Sequence, residues 1–190
     1  MANKDAAFGL KAIGKVGQNR DSQGLSEYSI AASATAIYQG DPVEMLATGT
    51  IGVAAAGDTL LLGPLTGVFY TDASTSKPTW ANHLNASNTA TDIVGFVSDD
   101  PYERFEVQSN NAGASAQTDI GNVANIAYTA GSSPDFVSKV ELDDSDLATT
   151  DGQLKVIGVS RDPSNNDLGS ANVNFVVTIN EHFLKQEAGI

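Results

Sequence analysis

The chain has 190 residues and a formal net charge of −13, with 41% hydrophobic and only 17% charged residues. It has no cysteine, which excludes disulfides, thiolate metal sites and cysteine nucleophiles. The acidic balance argues against nucleic acid as main partner, and no apolar run approaches the length of a membrane-spanning helix. Gly, Ala, Ser, Thr, Asn and Asp fill the space left by charge, so many short elements joined by polar loops are expected.

Charge is distributed unevenly from the start. Lys4, Lys11, Lys15 and Arg20 fall in the first 20 residues with one acid, Asp5, whereas residues 21–190 carry 22 acids and six bases. Gly9, Gly14, Gly17 and Gly24 interrupt this stretch too often for a helix. Residues 1–27 are therefore read as an extended basic arm on an acidic body, suited to ordering on a partner. No apolar h-region is present, so a secretory leader is not expected.

Tyr28 to Tyr38 alternates apolar and polar residues and predicts a strand with one buried face. Gln39–Pro42 turns the chain. Val43–Leu46 and Ile51–Ala55 read as a hairpin about Gly49, and Pro64–Tyr70 as a further strand. A polar excursion follows over 71–91, carrying the single tryptophan, Trp80, with Asn82, Asn85 and Asn88. A loop of ~20 residues in a compact domain is usually functional or mobile.

Asp92–Val97 and Arg104–Gln108 are the next strands, and 109–118 is a polar linker. Thr118 and Asp119 resemble a cap for one short helix over 118–126. Phe136–Leu142, Gln153–Val159 and Val173–Ile179 complete the strands. About ten short strands with turns every 8–12 residues predict an all-β sandwich or barrel. The body, 28–190, reads as one unit or as two lobes, 28–108 and 119–190.

Motifs for chemistry are few. His83 and His182 have no partner at metal-ligand spacing, and phosphate loops and nucleophile elbows do not occur. Asp143, Asp144, Asp146 and Asp151 have oxygen ligands for calcium but lack the glycine and distal glutamate of an EF-hand, so a solvated turn is the simpler reading. The segment from Asp162 to Gly169 reads as Asx turns, and Asp99-Asp100-Pro101 as another turn. Trp80 fits three roles: a sugar-stacking platform, a pin for the long loop, or a residue in a subunit interface.

Several segments together resemble a family. They are F-G-L at 8–10, QGDPVEM at 39–45, PLTGVFY at 64–70 before the tryptophan loop, and DDPY at 99–102 running into FEVQ. DIGNVAN at 119–125, VIGVSRDP at 156–163 and the last strand ending in Asn180 and His182 complete the set. The chain in this respect is similar to the cement, or head-decoration, proteins of tailed bacteriophages, especially aquatic short-tailed phages. The resemblance implies a virion structural protein without catalytic residues or cofactors, made in the host cytoplasm and placed on the outer capsid surface. Its partner would be an HK97-fold major capsid protein, and many such proteins are homotrimers with arms along the shell. On that basis Phe8, Leu10, Lys11, Ile13 and Lys15 are the expected capsid anchors. The rival expectation is a carbohydrate-binding or adhesin-like module using the Trp80 loop.

Overall fold

A computed structural model describes residues 2–16, 24–110, 115–148 and 150–185. Gly17 and Arg20 of the expected arm, and 111–114 of the expected linker, lie outside the described residues. The protein is all-β: three sheets pack as a sandwich, and no helix exceeds a single 3₁₀ turn among the described residues.

Thirteen strands follow in chain order: β1 (Lys11–Lys15), β2 (Ser26–Ser29), β3 (Pro42–Met45), β4 (Ile51–Val53), β5 (Leu61–Thr71), β6 (Pro78–Ala81) and β7 (Val94–Val97). Then come β8 (Glu103–Gln108), β9 (Val123–Ala124), β10 (Ile126–Ala127), β11 (Glu141–Leu142), β12 (Leu154–Val159) and β13 (Asn174–Ile179). A five-stranded sheet runs β1-β8-β13-β12-β9, and a six-stranded sheet runs β2-β7-β5-β3-β4 with β6 on β5. β10 and β11 pair separately. Every pairing between named strands is antiparallel, so each large sheet can bury one face and show the other to water.

Alternation decides which side chains go inward. In β8, Phe105 and Val107 are fully buried while Arg104 and Glu106 are not; in β13, Phe175 and Val177 are buried between the half-buried Val176 and Thr178. These residues, with Leu154 and Val156, form one core. Ile37, Val43, Leu62, Leu65, Val68, Leu84 and Val97 form a second. β5 begins as the septum between them: Leu61 belongs to the first core and Leu62 to the second. Its first five residues are accordingly buried without alternation. The first core draws on both sides of the 109–118 linker, since Leu10, Leu61 and Phe105 join Phe175 there.

Four local expectations give way to other structure, the first being the strand expected over Phe136–Leu142, of which only Glu141–Leu142 forms a strand, β11. The helix expected at 118–126 is one 3₁₀ turn, Gln117–Asp119, where the Asp119 carboxylate accepts from the Ala116 N–H. Gly121 at φ 102° then leaves helical space, and Val123–Ala124 and Ile126–Ala127 pair as the short strands β9 and β10. The strand expected through Tyr38 ends at Ser29, because Ala31 and Ala32 are exposed and bury nothing. Trp80 lies on a strand, β6, rather than in a 20-residue loop.

The N-terminal segment also differs from a free arm. Residues 2–16 are held on the body. Lys4 O accepts from Gln108 Nε2 (2.9 Å) and Asn165 Nδ2 (2.7 Å), and Ala6 N donates to Gln108 Oε1. Gly9, at φ 74°, packs so tightly against Gly40 and Ser138 that any Cβ would collide with both. Leu10 N then donates to Gly40 O, and β1 pairs with β8.

Candidate functional site

The five expected anchors separate into those engaged within the molecule and those exposed on it. Leu10 is only 2% exposed and belongs to the first core. Phe8 is half-buried, and both line a cavity of about 290 Å³ between β1 and β5 with Pro64, Leu65 and Val137. Lys15 turns onto Asp100 at 2.6 Å, and this ammonium contact holds the Asp100 carboxyl below its usual range. Those three side chains are engaged within the molecule.

Lys11 also borders that cavity, but it is exposed, as is Ile13. Lys11 sits opposite Glu106, whose neighbours Phe105 and Val107 define the inward side, so Lys11 lies on the outer face. A bulge follows between Ala12 and Gly14, with Gly14 at φ 147°, and it leaves Ile13 46% exposed. Bulges commonly re-aim a side chain in this way.

The outer face of the five-stranded sheet continues across β8, β13 and β12. Arg104 and Glu106 come from β8, Val176 and Thr178 from β13, and the exposed Lys155 and Ile157 from β12. Lys155 is opposite Thr178, and Arg104 lies one position beyond the Phe105–Val177 pair, so Arg104, Thr178 and Lys155 share a row. Lys11, Glu106 and Val176 form the adjacent row. Glu106 accepts from Asn174 Nδ2 at 3.1 Å.

Trp80 is half-exposed, at 54%, on the outer face of the other sheet. It is opposite Phe69 and packs on Phe96 with ring centroids 4.9 Å apart. Gly67 makes this possible: a Cβ there would stand 2.5 Å from Trp80 Cζ2. Phe69, itself 41% exposed, completes an aromatic strip. The asparagines expected beside Trp80 do not join it. Asn82 Nδ2 donates to Asp135 O and its Oδ1 meets His83 Nδ1, while Asn88 Oδ1 accepts from Ala90 N.

The histidines have packing roles. His83 stacks on Phe136 at 3.9 Å and 3°. His182 is buried, its Nδ1 accepts from Leu184 N, and its Nε2 has no hydrogen-bond partner. Burial first, and then the Lys185 ammonium, pull its imidazole down to about 4. Asp41 is also fully buried, and desolvation pushes its carboxyl up to about 6 against the Ser138 and Tyr38 hydrogen bonds. Asp143 is occupied by Ser145 N and Oγ, and Asp146 by Asn125. Among the described residues no group of three or more acidic or histidine side chains is placed to hold a metal ion.

Sequence reasoning missed Arg104, Lys155 and Ile157, because each is unremarkable in its own strand. Only the strand order β1-β8-β13-β12 brings them beside Lys11. Comparison with known proteins finds no family model, curated protein or solved structure that matches this chain.

Proposed function

We propose that the chain is a virion structural protein that binds the outside of an assembled tailed-phage capsid and stabilises it. The partner in this reading is an HK97-fold major capsid protein, and the bound form is a homotrimer at the outer surface of the virion. The motif resemblance spanning most of the chain motivates it. The observation that carries it is the presentation of Lys11 and Ile13, outward and exposed, from a strand hydrogen-bonded into an acidic β body. A docking group fixed on a sheet loses less conformational entropy on binding than one on a free arm.

The work is mechanical and follows mass action: binding the assembled shell and not its dissociated subunits shifts the balance towards the shell. Many copies on one particle multiply a modest affinity. Co-sedimentation with undecorated phage capsids, read beside the mass of the free protein, tests this. Saturable binding at a fixed ratio to shell subunits is expected, and failure to sediment even at low salt would sink the reading.

The second reading, a carbohydrate-binding module, is favoured by one observation: the exposed Trp80 and Phe69, with the half-buried Phe96 against the indole, form an aromatic strip onto which a sugar ring could stack. A glycan array with Trp80→Ala as control decides it. Binding that disappears in the variant would favour the sugar.

A further inference from the structure

We propose that the outer face of the five-stranded sheet is a docking surface for an acidic protein surface, with Lys11, Arg104 and Lys155 as its cations and Ile13, Ile157 and Val176 as its apolar contacts. The proposal rests on the capsid reading for who the partner is, but not for the charge that the partner presents.

Charge complementarity carries the argument. The chain is net −13, yet the outward positions of this sheet's strands hold three cationic side chains and one carboxylate, Glu106. No ion pair involves Arg104 or Lys155 among the described residues; Lys11 acts on Asp162 only through its field. Cations on an edge strand have a simpler use, as guards against edge-to-edge pairing. That accounts for Lys11 on β1, but Arg104 is on the second strand of the sheet and Lys155 on the fourth. Neither guards an edge.

The kind of partner follows from what lies between the charges. Ile13 is 46% and Ile157 37% exposed, and Val176 lies on the row of Lys11. A phosphate backbone would use the cations and leave these aliphatic groups facing polar atoms. A protein surface with carboxylates around an apolar centre would use both sets, since interface cores bury apolar groups within a polar rim. The rest of this chain, strongly acidic, repels a nucleic acid. Opposed charge across such a face also speeds encounter and sets orientation.

Two charge-matched variants test this. Lys11→Glu with Lys155→Glu reverses the face at two exposed positions. Lys77→Glu with Lys139→Glu makes the same change of net charge at exposed positions outside it. Each is assayed for sedimentation with undecorated capsids at low and high salt, and for binding of fluorescent oligo-L-glutamate and of a short DNA duplex. Circular dichroism confirms folding, and Ile157→Lys serves as a second face variant that leaves β1 untouched.

The expected result is capsid and oligoglutamate binding by the wild type, weakened about tenfold or more by the face pair and by salt, and unchanged in the control pair. Equal capsid binding by both pairs would overturn the face and leave the capsid reading standing. No capsid binding by the wild type would overturn the capsid reading; loss of oligoglutamate binding in the face pair alone would still support the face. Preference for DNA over oligoglutamate would overturn a protein partner. So would a solution dimer that the face pair dissolves, because the occupant would then be a second copy.

Discussion

The two large sheets are built alike inward and differently outward. Each buries a stripe of Val, Ile and Leu in its own core, with Phe105 and Phe175 added in the first core. The six strands of one sheet contain no lysine or arginine, whereas the other sheet carries Lys11, Lys15, Arg104 and Lys155. The first shows Phe69 and Trp80 to solvent, with Phe96 half-buried beside them; the second shows cations between aliphatic groups. Since the cores specify only the inward half of each strand, the outward half is free to carry a surface of one character. The contrast between the two outer faces is where function is read, and four measurements would break or sharpen it.

The largest effect is expected inside, at the strand that serves both halves of the argument. Leu10 is in the core just before β1, and Ile13 is exposed within it. Leu10→Ala should cost about 2–5 kcal/mol in urea unfolding, the usual range for a buried leucine. Removing residues 2–16 should cost at least as much, as it also takes the Lys4 and Ala6 hydrogen bonds from Gln108. A truncated protein of undiminished stability would show that β1 is an ornament on the sheet, and the docking face would lose its first row.

The next effect is in pH. His182 follows β13 of the cationic sheet and bridges to Leu61 at the start of β5, so it stands at the seam. Its folded imidazole takes a proton at about 4, against 6.5 when unfolded. Its contribution is full above 6.5 and is lost as pH falls towards 4, by about 3 kcal/mol at the end of that window. Asp41 has the opposite sign. Its carboxyl is raised from 3.8 to about 6, so stability is gained as pH falls from 6 towards 3.8, by about 3 kcal/mol. The two contributions therefore oppose each other between pH 6.5 and 4. His182→Gln should become more stable on acidification across that window, and Asp41→Asn less stable. Chemical denaturation at several pH values reads both slopes, and parallel slopes in the two variants would contradict the assignment.

Legibility follows the same division between inside and outside. The strands β8, β12 and β13 are visible in the sequence because large apolar residues recur at their inward positions. The all-β class follows from them. The stretch beyond Ser29 misleads because alanine scores as apolar and is too small to enforce burial, so Ala31 and Ala32 sit in water. β6 is hidden for a different reason. Pro78 opens it and polar residues surround it, and its only strand partner is the outer half of β5. Phe136 looks like the start of a strand but stacks on His83 at φ 53°, a contact 53 residues away in sequence. The docking face is the least legible feature: its cations are 144 residues apart from Lys11 to Lys155, and only the strand order assembles them.

A smaller effect would sharpen the aromatic face. Gly67→Ala should push Trp80 off the sheet, because the new methyl would stand 2.5 Å from Cζ2. Trp80 is the only tryptophan, so its fluorescence reports directly. A red shift with a loss of about 1 kcal/mol is expected, the scale of an aromatic pair beyond its burial. An unshifted spectrum would mean that the indole does not rest on Gly67 and that the strip is looser than the Phe96 contact implies.

The smallest effect is the most discriminating. Ile13→Ala should change stability by less than about 0.5 kcal/mol, since surface substitutions away from caps and cores usually do. Yet the same change should weaken capsid sedimentation measurably, because a bulge exposes this side chain and the body gains little from it. A residue that costs the fold nothing and costs binding something belongs to a surface made for a partner. If Ile13→Ala instead lowered stability as Leu10→Ala does, the residue would be part of the packing, and the outward half of β1 would have no function left to explain.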